Sequence, residues 1–62
     1  MNTTEELLTG LLDTVRGFTN TADALLVAMT GDDARLVQWL LVGLRIESAR
    51  VRFKVDDFHE VC

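Results

Sequence analysis

Several features are missing from this 62-residue sequence, and each absence excludes a class of protein. There is no proline and no tyrosine, and the one cysteine, Cys62, has no partner for a disulfide within the chain. The longest uncharged stretch, residues 36–44, is nine residues long, whereas a helix that crosses a bilayer needs about 20 apolar residues. Glu5 and Glu6 stand where a secretory signal would carry basic residues. We therefore expect a cytoplasmic protein without a membrane segment.

The residues that carry catalysis are also scarce. The sequence has one His and one Cys, and no Gly-rich loop, so no set of nucleophile, base and orienting group can be assembled. We therefore expect no enzyme activity and no cofactor. Ligand-type residues cluster in the tail, but their spacing lacks the paired signature of zinc sites, and a chain end is usually solvated, so no metal site is predicted. These tail residues are Asp56, Asp57, His59, Glu60 and Cys62.

What the sequence does contain is apolar side chains in excess of its size. It is 48% hydrophobic with a net charge of −4, a composition that argues against disorder. A single domain spanning residues 1–62 has room for only a small core, and domains of this size usually need a disulfide, a metal or a partner subunit. The composition therefore predicts self-association.

The apolar periodicity predicts three helical segments. Leucines at spacings of three and four indicate a first amphipathic helix that ends at Gly17, followed by a connector over residues 18–21 and a second short amphipathic helix. Gly31 is predicted to end the second helix, with Asp32 or Asp33 as the N-cap of the third.

The third segment predicts an oligomer. Eight of the eleven residues in 36–46 are large and apolar, and they cover every side of a helical wheel. A helix that is hydrophobic all round must be surrounded, and two short helices cannot surround it. We therefore expect a homo-oligomer, in the first place a dimer, with the third helices at its centre. The expected interface residues are Val37, Trp39, Leu40, Leu41 and Leu44.

Residues 49–55 support two interpretations. Apolar and charged residues alternate with a period of two, which is typical of a half-buried strand. The helix could equally continue, because Trp39, Ile46 and Phe53 belong to a stripe at spacings of three and four, and no Gly, Pro or Asn interrupts it. The expected fold is thus mainly α: two short amphipathic helices, one long hydrophobic helix and a candidate C-terminal strand, completed by homo-oligomerisation.

The charges are segregated along the chain. Residues 45–54 hold four bases and one acid, whereas the segments before and after them are acidic. We expect a small acidic module that binds or inhibits a larger protein, as accessory inhibitors, antitoxins and phage-encoded antagonists of host defence do. One alternative is a homodimeric nucleic-acid-binding regulator that uses the basic segment, although the net charge opposes binding to a polyanion. Another is a structural assembly subunit. The candidate partner or nucleic-acid contacts are Arg45, Arg50, Arg52 and Lys54.

Overall fold

The protein is a hairpin of two long antiparallel helices. The computed structural model describes residues 3–61, with α1 over Thr3–Thr30 and α2 over Ala34–Val61. Each helix has 28 residues, which at 1.5 Å per residue gives about 42 Å and accounts for the longest dimension of 45 Å. The radius of gyration is 14.3 Å, whereas a compact domain of this length would have about 11 Å. The hairpin is therefore a rod with no third layer.

The mainly-α prediction is confirmed, one of its details is wrong, and the open choice at residues 49–55 is decided for the helix. Residues 18–21 are helical, so the expected first and second helices are one continuous helix. Residues 49–55 are helical as well, and the candidate strand does not form. A strand needs a neighbour to pair its backbone groups, whereas a helix satisfies them locally. Without proline to remove a backbone donor, both helices continue to the ends of the described residues.

The two helices meet along one seam with coiled-coil spacing. In each helix most of the partly or fully buried side chains recur at alternating intervals of three and four residues, and the α2 row is interrupted at the exposed Lys54. This spacing keeps one face directed at the partner helix. The α1 seam residues are Leu7, Leu11, Thr14, Phe18, Thr21, Leu25 and Ala28, and the α2 seam residues are Val37, Leu40, Leu44, Glu47, Val51 and Phe58. Phe18 is thus a seam residue, which explains why the helix does not stop at Gly17.

The middle of the seam is polar. The Thr21 hydroxyl donates a hydrogen bond to Oε1 of Glu47 across the helix pair. The other carboxylate oxygen of Glu47 lies over Gly17. Carboxylate and hydroxyl therefore occupy positions where a coiled coil normally carries leucine or another apolar residue.

Three glycines, two on α1 and one on α2, face side chains of the other helix. A Cβ added at Gly17 would lie 2.9 Å from Oε2 of Glu47, whereas one at Gly10 would lie 3.8 Å from Nζ of Lys54 and one at Gly43 3.8 Å from Cγ2 of Thr21. No glycine among the described residues has a positive φ, so these positions are kept open by the neighbouring helix and not by backbone conformation.

Alanine substitutions at two of these glycines should have different effects. Gly10→Ala should stabilise the hairpin by about 0.5–1 kcal/mol, because Ala is the better helix former and its methyl group meets only an ordinary van der Waals contact. Gly17→Ala should not stabilise the hairpin in this way, because its methyl group would displace the Glu47 carboxylate and weaken the hydrogen bond from Thr21. Urea unfolding of both variants checks this, and equal stabilisation by the two would contradict the close approach at Gly17.

The turn between the helices is closed by its two aspartates. Asp32 adopts a left-handed conformation with φ of 57°. The Asp33 amide donates to the carbonyl oxygen of Ala28 and the Asp32 amide to that of Met29, which is the bonding of a Schellman motif. The Asp33 carboxylate then accepts from the Leu36 amide at 3.1 Å, as an N-cap does. The predicted cap is confirmed, and Asp32 takes the left-handed position instead of Gly31.

Removing the cap should destabilise the hairpin measurably. Asp33→Ala leaves the Leu36 amide without its acceptor and should cost about 1 kcal/mol of unfolding free energy. Asp33→Ser keeps an oxygen in reach of that amide and serves as the control with little loss. Thermal unfolding followed by circular dichroism would measure both, and identical melting temperatures for the Ala and Ser variants would contradict the capping role.

Candidate interaction surfaces

Most of the large apolar side chains of this hairpin are exposed. Within residues 3–61 only Ala28 is fully buried, at 4% exposure. Isolated exposed apolar residues are ordinary on protein surfaces, but contiguous apolar patches mark interaction sites. The spacing of the exposed residues places most of them on two surfaces, which adjoin at a depression lined by Leu41, Val42 and Arg45.

The first surface, here called the shared face, is built from both helices. Its α1 residues recur at heptad positions next to the seam, and grooves between the helices show which α2 residues lie beside them. Val15 and Phe18 line one groove with Ser48 and Val51. Met29 of α1 and Leu41 of α2 line another groove nearer the turn. The shared face consists of Leu8, Leu12, Val15, Leu26, Met29, Leu41 and Val55.

The second surface, here called the outer stripe, belongs to α2 alone. It consists of Trp39, Val42, Ile46, Ala49 and Phe53, again at alternating spacings of three and four. These residues lie two positions beyond the α2 seam residues, which is about 200° around the helix, so the stripe faces away from α1. Trp39 is 74% exposed and Phe53 is 70% exposed. The single Trp of the sequence is therefore largely exposed to solvent.

The interface residues expected from the sequence lie in three different places. Val37, Leu40 and Leu44 are partly buried in the seam against α1. Leu41 belongs to the shared face and Trp39 to the outer stripe. The all-round apolar character of residues 36–46 thus serves one contact within the chain and leaves two apolar surfaces exposed on the single hairpin.

The basic segment is also divided by the helix. Arg45 and Arg52 are seven residues apart and lie along one edge of the outer stripe, whereas Arg50 lies along the opposite edge. Arg50 lines a groove that also contains two acidic residues, Asp13 and Glu47. Lys54 lies beside Gly10 on the α1 side. The four bases therefore do not form one continuous patch.

The sequence interpretation missed a further arginine at the outer stripe. Arg35 lies four residues before Trp39, where the stripe would continue toward the turn, and it lines a surface depression with Gln38, Trp39 and Val42. The four-residue spacing between Arg35 and Trp39 is the signal that could have identified it.

No protein-family model, curated protein or solved structure matches this chain. Within residues 3–61, no three His, Cys, Asp or Glu side chains are grouped so that they could hold a metal ion, and Cys62 of the tail cluster lies outside the described residues. Over the same residues, neither helix has a segment long and apolar enough to cross a membrane. Function is therefore inferred from the two apolar surfaces and the charges around them.

Proposed function

We propose that the protein is a small non-catalytic interaction module that pairs with a second copy of itself and binds or inhibits a larger protein. One observation carries the proposal, which is the excess of accessible surface on a hairpin whose large apolar side chains are mostly exposed. The accessible surface of the chain is 5000 Å². A folded monomer of 6.9 kDa exposes about 4000 Å², so the excess is about 1000 Å², slightly more than the roughly 800 Å² that each partner buries in a standard interface.

The shared face is the surface best suited to a second copy. It is wide because both helices contribute to it, and its seven members are all large apolar residues. Two hairpins stacked through this face would form a four-helix bundle, in which each helix buries a second stripe next to its seam. The sequence indicates Val37, Leu40 and Leu44 as interface residues, but their side chains already pack in the seam against α1. We therefore place the contact with a second copy on the shared face.

Sedimentation of the purified chain tests the pairing. We expect a dimer whose helicity and melting temperature rise with protein concentration, because association and folding are linked when the partner covers much of the apolar surface. A monomer that keeps full helicity on dilution would contradict the proposal. Assemblies much larger than a dimer would instead favour a structural assembly subunit.

Affinity capture tests the larger partner. The tagged chain is used as bait in a lysate of its native cell, divided into nuclease-treated and untreated halves. A stoichiometric protein that survives nuclease supports the interaction module. Loss of all captured material after nuclease treatment would favour the nucleic-acid-binding regulator, which the divided arrangement of Arg45, Arg50, Arg52 and Lys54 does not support. An eluate that contains the bait alone would contradict the larger partner.

A further inference from the structure

We propose that the outer stripe of α2 binds an amphipathic helix of a partner protein, and that this helix carries acidic residues beside its apolar residues. The inference rests on the proposed function, because it assigns the partner-binding role to one surface of the module. It leaves the shared face to the second copy.

The geometry of the outer stripe suits a helix. From Trp39 to Phe53 it covers 15 residues, and the first and last lie about 21 Å apart along α2. A stripe with strict spacings of three and four is the pattern by which one helix packs along another, with each side chain seated among four side chains of the partner. Trp39 and Phe53 place large aromatic anchors near the two ends, and such residues dominate binding energy at interfaces.

The charged residues around the outer stripe indicate which kind of partner helix would bind there. Arg45 and Arg52 lie on one edge and Arg50 on the other, and Arg35 lies at the end nearest the turn. Four of the chain's six basic residues therefore lie around the stripe between residues 35 and 53, whereas Asp56, Asp57 and Glu60 follow it at its C-terminal end. In paired helices the residues that flank the apolar seam decide which partners are accepted. Arg45 and Arg52 favour carboxylates along the matching edge of the bound helix, whereas Arg50 shares its groove with Asp13 and Glu47.

A second copy of the chain does not provide that complement. If two outer stripes packed together, the arginines of each would face those of the other, and like charges across an interface are unfavourable. The exposed apolar residues of α1 are bordered on one side by the seam and on the other by Glu5, Arg16 and Asp23, which differ in sign, so α1 of another copy lacks a continuous acidic edge. The complement must therefore come from a different protein.

The test uses two synthetic helical peptides and the intrinsic fluorescence of Trp39. Both peptides carry leucines at spacings of three and four and contain no Trp or Tyr. One has Glu at every flanking position and the other has Lys. Because the chain has a single Trp, which lies within the proposed contact near one end, binding should move its emission to shorter wavelength. We expect the Glu peptide to bind at least about tenfold more tightly than the Lys peptide, and the difference to shrink as salt is added.

Two charge-matched variants locate the contact. Arg45→Glu should weaken binding of the Glu peptide at least about fivefold and strengthen binding of the Lys peptide. Arg16→Glu makes the same change of charge on α1, and it should leave the preference intact. Arg45 and Arg16 are both exposed, and circular dichroism of each variant verifies that helicity is unchanged. Equal affinity for the two peptides, or equal effects of the two variants, would overturn the inference.

Other occupants of the stripe would give distinct results. A Trp39 emission that shifts with protein concentration alone would place a second copy on the stripe and overturn the inference. The same result would follow if the Trp39 shift occurred only with a DNA or RNA oligonucleotide, or only with vesicles of anionic lipid. A dimer by sedimentation that binds neither peptide would refute the inference and leave the pairing through the shared face standing. A chain that binds the Glu peptide while remaining monomeric would support the inference and refute that pairing.

Discussion

Leu12→Glu is expected to dissociate the proposed dimer. Leu12 lies in the shared face and is 56% exposed in the single hairpin, so the substitution removes little from the seam between α1 and α2. In the paired form the same position would place a carboxylate in an apolar contact, where an unpaired charge is costly. At about 2 kcal/mol or more for each copy, twofold symmetry gives about 4 kcal/mol per dimer, which raises Kd about a thousandfold.

Asn20→Glu is the matched control for that experiment. Asn20 is exposed on α1 outside the residues of the shared face, and the substitution also adds one negative charge. Sedimentation of both variants at the same concentration should show the control as a dimer and Leu12→Glu as a monomer. A Leu12→Glu protein that still sediments as a dimer would show that the shared face is not the contact. Loss of helicity together with dissociation would mean that folding depends on pairing.

Glu47→Leu is expected to make the hairpin more stable. Glu47 occupies a heptad position of the seam, where a leucine would bury more apolar area and would spare the partial desolvation of a carboxylate. The hydroxyl of Thr21 need not be left without a partner, because threonine hydroxyls elsewhere in α1 bond to the carbonyl oxygen four residues earlier, as Thr14 does to Gly10 at 2.8 Å. We expect a gain of about 1–2 kcal/mol, with a rise in Tm of about 4–8 °C for each kcal/mol.

Two companion variants show whether the hydrogen bond from Thr21 offsets the desolvation cost of the Glu47 carboxylate. Glu47→Gln keeps an oxygen in reach of the Thr21 hydroxyl and should remain near the wild-type stability. Thr21→Val removes the donor and should destabilise, because it leaves the Glu47 carboxylate without this hydrogen bond. Urea unfolding of the three variants and the wild type measures their relative free energies of unfolding. A Glu47→Leu protein less stable than the wild type would show that the polar pair contributes more than an apolar seam residue would.

The local sequence pattern predicted the helical content and the turn. Apolar residues at spacings of three and four indicated helices in both halves, and the Asp33 cap and the start of the last helix near Ala34 were predicted correctly. These features depend on backbone hydrogen bonds within a few residues, so neighbouring side chains are sufficient to specify them.

The wrong detail and the open choice both arose where one local pattern fits two structures. Gly17 could end a helix or allow a close neighbour, and only the position of Glu47 on α2 shows that it does the second. Residues 49–55 alternate like a strand, yet Ala49 and Phe53 also continue the outer stripe of a helix. In each case the deciding partner is far away in the sequence, and periodicity carries no information about such a partner.

The sequence by itself determined that this chain is helical, that it turns at residues 31–33 and that it has more apolar side chains than so small a domain can cover. Only the tertiary structure decided how those side chains are divided. Pairing of α1 with α2 takes up Val37, Leu40 and Leu44, and it leaves Leu41 on the shared face and Trp39 on the outer stripe. The physical reason is that this segment has apolar side chains all around the helix axis, and which of them are buried depends on the neighbour that packs against the helix.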